Sequence, residues 1–225
     1  MLAFSDLTIG INGKTLLSCP KGAIPAGKVT SLVAPNGSGK TTFMRALIDA
    51  DGVKRTGKIV ADGVPISQKR DYRKLVFYVP GDASILYPLL TVRENLMMVH
   101  RCWGASVDLE SFARKCRIDG FLDKRVRNLS LGMKQQASLA AGYLTGARYL
   151  LLDEPMNALD PTNLEINSRI IRTLCGKGVG ILMSSHILGN VDTLSDKIVF
   201  IKNGSFVSAP EAVGGSQAMY RRLYG

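Results

Sequence analysis

The stretch Val29-Thr-Ser-Leu-Val-Ala34-Pro-Asn36-Gly-Ser-Gly-Lys40-Thr-Thr42 decides the fold. Its opening run, Val29 to Ala34, is short and mostly apolar, which fits a buried strand of a parallel sheet. Asn36, Gly37, Ser38 and Gly39 break that run, and Thr41 to Asp49 then takes up helical periodicity. A strand, a glycine-rich loop and a helix in that order read as a phosphate-binding loop. The glycines let backbone N–H groups turn toward phosphate oxygens, and the helix N-terminus adds positive potential. Lys40 is placed to reach the β- and γ-phosphates, and the Thr41 hydroxyl to bind Mg²⁺. Ala34 stands where the usual pattern opens with Gly, and it fits if its φ is negative. An ordinary Gly-rich turn is the competing reading; the flanking strand, the helix and the Lys-Thr pair argue against it.

Working outward, Lys74 to Val79, Tyr149 to Asp153 and Val179 to Ser184 read as buried strands with helical stretches between them. That alternation predicts an α/β fold with a mainly parallel sheet. Both ends of the chain read as strand-rich. Asn203-Gly204 between Lys197–Ile201 and Ser205–Val207 predicts a hairpin, hence a small antiparallel part. From Asp82 to Ala147 the pattern is helical, rich in Arg and Lys, and without a convincing strand. The expected layout is one domain over residues 1–225, with an α/β core at 1–81 and 148–225 and an inserted helical subdomain at 82–147. Within the insert, Thr91-Val-Arg-Glu94 supplies a capping box.

Leu150-Leu-Leu-Asp153-Glu154-Pro155 puts two acids at the carboxyl end of an apolar strand, where open parallel sheets place their ligands. Asp153 would hold the metal through its water shell, and Glu154 would orient and activate an attacking water. A strand end running into a polar loop is the plainer reading, and it weakens beside the loop at Lys40. Asp160-Pro161 starts the next helix as N-cap and N1. His186 closes the following strand after Ser184 and Ser185. There it either hydrogen-bonds the γ-phosphate or the attacking water, or is a satisfied surface His.

Composition narrows the class. Hydrophobic residues make up 46% of the chain, which excludes a disordered or fibrous protein. No apolar run approaches the roughly 18 to 20 residues of a spanning helix; Ala137 to Ala147 is too short. The opening MLAFSDLTIG lacks the layout of a secretory signal, so a cytosolic location is expected. Cys19, Cys102, Cys116 and Cys175 have no CxxC spacing and read as buried free thiols. With 29 Lys+Arg against 18 Asp+Glu the net charge is +11, which suits a polyanion without choosing one.

These motifs together resemble the ATP-binding subunit of ABC transporters over essentially the whole chain. Besides Asn36 to Thr42 and Leu150 to Pro155, the resemblance rests on Leu129-Ser-Leu-Gly-Met-Lys-Gln135, Asn157-Ala-Leu-Asp160, Ser184-Ser-His186 and Thr91-Val-Arg-Glu-Asn-Leu96. The third of these sets is similar to the family's switch histidine, and the first to its signature motif. The resemblance implies a P-loop NTPase and a Mg²⁺-dependent ATPase. Its nucleotide would be held by Asn36, Gly37, Ser38, Gly39, Lys40, Thr41 and Thr42. Thr41 and Asp153 would serve the metal, and Glu154, His186 and Lys40 the chemistry. It further implies a head-to-tail homodimer or heterodimer, with ATP between the Lys40 loop of one subunit and Ser130 and Gly132 of the other. A separate transmembrane permease would be powered by this subunit, peripheral at the inner face of the cell membrane. Leu131, where Gly is commonest in the family, resembles exporters of peptides and antibiotics.

Two departures stand out. Gly81 follows Tyr78-Val-Pro80 where the family has Gln, with Asp82 as a possible substitute on the metal side. Ile11 or Asn12 occupies the region of the adenine-stacking aromatic. These departures motivate a second reading, a degenerate module that binds ATP and dimerises or regulates with little hydrolysis. Nucleic acid is not expected as a partner, because the chain lacks coiled coils, a tandem second domain and an aromatic-rich basic face.

Overall fold

Apolar residues alternate between two buried faces along the central strands of the computed structural model, which describes residues 1–11, 13–104, 107–186, 188–208 and 215–225. The chain runs β1 (Leu2–Ile11), β2 (Lys14–Ile24), β3 (Val29–Val33), α1 (Lys40–Leu47), β4 (Lys54–Ala61), β5 (Val64–Pro65), α2 (Lys69–Leu75), β6 (Val76–Val79), α3 (Val92–Trp103), α4 (Leu109–Lys115), α5 (Leu131–Leu144), β7 (Tyr149–Leu152), α6 (Pro161–Gly176), β8 (Gly180–Ser185), α7 (Leu188–Leu194), β9 (Lys197–Lys202), β10 (Ser205–Ser208) and α8 (Gly215–Tyr224). Leu150 and Leu152 of β7, with Ile181 and Met183 of β8, join Ala137, Leu139 and Ala140 of α5 in one core. Tyr149, Leu151 and Leu182, on the opposite face, join Phe43, Met44 and Leu47 of α1 and Leu2, Phe4, Leu7 and Ile9 of β1 in another. A sheet covered on both sides needs near-continuous apolar strands, and β7 reads Tyr-Leu-Leu-Leu for that reason.

The main sheet is six-stranded in the order β10-β9-β3-β8-β7-β6. Its β3–β8, β3–β9, β6–β7 and β7–β8 pairs are parallel, and only β9–β10 is antiparallel. That last pair is the expected hairpin, with Asn203 at φ 50° and Gly204 at φ 71°, the left-handed pair a tight two-residue turn requires. The antiparallel part is larger than the sequence suggests. A second sheet, β2-β1-β4-β5, pairs β1 with β2 and β4 over most of their lengths. Its strands carry polar and glycine residues on an open face, so they lack the apolar runs that betray buried strands.

Three further expectations are corrected. Lys74 and Leu75 belong to α2, not to the strand, because Tyr72 and Leu75 share a helical face toward the core; Tyr72 also donates its hydroxyl to Leu47 O at 2.7 Å. The chain closes on a helix rather than on strands. Met219, Tyr220, Leu223 and Tyr224 of α8 pack on Val33, Val191 and Phe200, and the Tyr224 hydroxyl donates to Ile201 O at 2.5 Å. Cys102 is exposed, contrary to the uniform burial expected of the thiols. The other three are buried, and burial pushes the Cys116 thiol up to about 12 and Cys175 to about 11.

Residues 82–147 contain α3, α4 and α5, with short 3₁₀ turns at Asp119–Phe121 and Val126–Asn128. Thr91 caps α3: its hydroxyl accepts from Glu94 N–H at 3.1 Å, and Glu94 accepts from Thr91 N–H at 2.7 Å. Thr91→Ala removes the side-chain half of this box. The expected cost is about 1 kcal/mol, read as a thermal midpoint lower by about 2–4 °C for a chain of this size. An unchanged midpoint would show that the cap contributes nothing.

Candidate functional site

The sheet order places four strand ends side by side. The carboxyl ends of β3, β8, β7 and β6 lead into the Lys40 loop, His186, Asp153-Glu154 and Gly81 in turn. Between β3 and α1 the loop turns on Gly37 at φ 79° and Gly39 at φ 95°. Both values belong to the left-handed region, and at Gly39 a Cβ would also lie 2.9 Å from Leu16 Cδ2. Ala34 keeps its φ out of that region, so Ala serves where Gly is usual. Lys40 opens α1 and is only 7% exposed. Its Nζ donates to Ala34 O at 2.8 Å and Pro35 O at 3.4 Å, and lies 3.6 Å from Glu154 Oε1.

Asp153 is buried, and hydroxyls surround its carboxylate. Thr41 donates to Oδ2 at 2.6 Å, Tyr78 to Oδ2 at 3.0 Å and Ser184 to Oδ1 at 2.5 Å. Burial first, and the Asp153 charge second, push the Tyr78 phenol well above its ordinary value, so it remains a donor. Ser184 is used twice, since its Oγ also accepts from Glu154 N–H at 2.8 Å. Glu154 sits at φ 47°, a strained backbone for a non-glycine residue. Its Oε2 lies 2.9 Å from His186 Nδ1, so the carboxylate is held between Lys40 and His186. His186 remains half exposed at its side chain (48%).

The loop, Thr41, Asp153, Glu154 and His186 are thus adjacent, whereas Ser130 and Gly132 are not part of this cluster. Ser130 caps α5 by accepting from Met133 N–H at 3.3 Å, and among the described residues no hydrogen bond joins it to the Lys40 loop. Beside it Leu131 is 64% exposed. Gly132 faces the turn after Glu154: a Cβ there would lie 2.6 Å from Ala158 O. Gln135 reinforces that approach by donating to Pro155 O at 3.2 Å.

The departures also have a geometry. A Cβ at Gly81 would stand 2.8 Å from Asp153 O, so this strand end passes too close for a side chain. Asp82 is exposed, and its Oδ1 accepts from Ser84 N–H at 3.0 Å. Hydrogen bonds from Ser84, side chain first, hold its carboxyl below the usual range. Ile11 is 36% exposed at the end of β1; Asn12 lies outside the described residues. Tyr78 and the double use of Ser184 were not legible as site features. The signal was a hydroxyl near the carboxyl end of each apolar strand, Tyr78 in β6 and Ser184 beside Ser185 in β8.

Among the described residues no group of three or more His, Cys, Asp or Glu is arranged to hold a metal by itself. One carboxylate with an adjacent hydroxyl is instead a hard-oxygen set suited to Mg²⁺, which keeps waters and takes substrate phosphates as its other ligands. The residues present therefore fit a Mg²⁺–nucleotide pair, not a protein-caged ion.

Known proteins are similar to this chain in sequence and in fold. A profile described as ABC transporter matches residues 19–157. A lantibiotic transport ATP-binding protein of Streptococcus pyogenes is 35% identical over 216 residues, covering 95% of this chain and 92% of its own. A solved structure titled as the ATP binding subunit of an ABC transporter superposes with a TM-score of 0.84 at 26% identity, covering 99% of this chain and 92% of its own. Another, a dimeric post-hydrolysis state of an ATP-binding cassette bound to ADP and Pi, superposes at 0.81 with 20% identity, covering 95% and 100%.

Proposed function

The chain belongs to the ABC transporter family, and from that premise we propose that it hydrolyses Mg²⁺-ATP to power translocation through a separate transmembrane permease. One observation carries the reading. Glu154 is held by Lys40 and His186 directly beside a buried Asp153 that meets Thr41, all at the carboxyl edge of the parallel sheet. Backbone N–H groups of Asn36 to Thr42 and the α1 N-terminus bind the phosphates, with Lys40 on the β- and γ-oxygens. Thr41 and Asp153 would hold Mg²⁺, which supplies charge stabilisation at the phosphoryl oxygens when bound. Glu154 orients the attacking water and accepts its proton as the new P–O bond forms and the bond to ADP breaks. His186 fixes the Glu154 carboxylate through Oε2. Lys40, released from its carbonyl partners, exchanges them for phosphate oxygens.

The exposed Ser130 and Leu131 and the neighbouring Gly132 are assigned to the nucleotide of a second subunit, head to tail. The dimeric state of the ADP-bound cassette supports that assembly. The helices within 82–147 form the arm that meets the permease. A groove of about 560 Å³ there is lined by Phe77, Ile85, Tyr87, Met98 and Trp103, with Tyr87 58% exposed. No helix among the described residues is long and apolar enough to cross a membrane, so the spanning part is assigned to the partner. The resulting location is peripheral, at the cytoplasmic face. Export is the proposed direction, supported by Leu131 in the signature and by the lantibiotic transport relative.

Steady-state phosphate release with and without EDTA tests the proposal. Mg²⁺-dependent turnover is expected. No turnover, even with the permease present, would favour a module that binds ATP without hydrolysing it.

A further inference from the structure

Strand β6 and the turn after it reach Asp153 three times, the first through Val79 O, which accepts from Asp153 N–H at 2.9 Å. At the strand's third residue the Tyr78 hydroxyl donates to Oδ2, and beyond its end Gly81 passes so close to Asp153 O that a Cβ would stand 2.8 Å away. The ring of Tyr78 packs on the core shared by α1 and β1, so its hydroxyl is delivered from a fixed side of the sheet. Thr41, the other donor to Oδ2, is exposed and sits on the phosphate loop's own helix. Ser184 fixes Oδ1 from β8. A carboxylate oxygen has two lone-pair directions in its plane, and on Oδ2 Thr41 and Tyr78 supply two donors.

We propose that Tyr78 is a positioning residue for the metal: its hydroxyl sets the orientation of the Asp153 carboxylate and thereby the affinity of the site for Mg²⁺. The contribution of β6 is made through residue 78 because the backbone at residue 81 leaves no room for a side chain. Hydrogen-bond partners one step behind a metal-facing carboxylate govern metal affinity in this way, since they hold the acceptor in one rotamer. This inference rests on the Mg²⁺-ATP site proposed above.

The test is equilibrium binding of a non-hydrolysable ATP analogue to the full chain, wild type beside Tyr78→Phe, across a Mg²⁺ series and in EDTA. Phe keeps the ring in the core and removes only the hydroxyl. The expected result is a half-saturating Mg²⁺ concentration raised by about 10-fold or more, with binding in EDTA unchanged. A Mg²⁺ dependence identical to wild type overturns the inference, and so does an equal loss with and without Mg²⁺, which marks a general structural defect. Wild-type binding that ignores Mg²⁺ overturns the underlying site reading as well, so the two failures are distinguishable.

Discussion

Glu154→Gln is expected to lower steady-state ATP turnover by about 10²- to 10⁴-fold, the range a positioned general base contributes. Nucleotide binding should survive. Gln keeps the volume and one oxygen, so the neighbours at 3.6 Å (Lys40 Nζ) and 2.9 Å (His186 Nδ1) retain a polar partner. What disappears is the proton acceptor and one negative charge beside the phosphate loop. Loss of that charge also frees Lys40 from an ion-pair competitor, so ATP should be held at least as tightly, and a two-subunit assembly should persist in its presence. Phosphate release, nucleotide binding and size-exclusion chromatography on the same preparation check the three parts. Turnover within about threefold of wild type would remove Glu154 from the chemistry and leave the reaction without its assigned base.

Gly81→Gln restores the residue usual in the family and is nevertheless expected to reduce turnover, by about 10²-fold. The reason is steric. The first side-chain atom at residue 81 would stand 2.8 Å from Asp153 O and 3.6 Å from Glu154 Cβ. The nearest obstacle is backbone, which cannot rotate aside as a flexible side chain can. Relieving it shifts Asp153 and Glu154 together, and a displacement of about 1 Å at a reacting centre is worth about that factor. Gly81→Ala carries the same Cβ and should fall in the same direction, which separates the steric cause from the chemistry of the amide. Turnover equal to or above wild type in Gly81→Gln would show that the strand end is free to yield and that the missing Gln was the defect.

The chain states several local facts plainly. Gly37 and Gly39 mark a loop that needs positive φ, Asn203-Gly204 a tight hairpin turn, and Thr91 with Glu94 a helix start, because each depends on residues within a few positions of one another. Asp160 also caps α6, accepting from Asn163 N–H at 2.9 Å with Pro161 at N1. The second sheet was poorly legible, since β1, β2 and β4 mix polar and glycine residues and reveal themselves only in pairing. Helix α8 was missed because it is short, and its apolar residues Met219, Tyr220, Leu223 and Tyr224 find a surface to cover only on Val33, Val191 and Phe200, which lie far away in the chain.

Sequence by itself determined the family, the phosphate loop and the acidic strand end, since these are contiguous and carry their chemistry in residue type and spacing. Only the tertiary structure decided what surrounds Asp153. Residues 41, 78, 153 and 184 meet because β8 lies between β3 and β7, and β6 lies beyond β7. That order is set by burial of both sheet faces and by long-range strand pairing, neither of which leaves a periodic trace along the chain. The same packing turned Gly81 from an apparent loss into a fitted position, because the closeness of one backbone to another is a property of two segments and is written in neither alone.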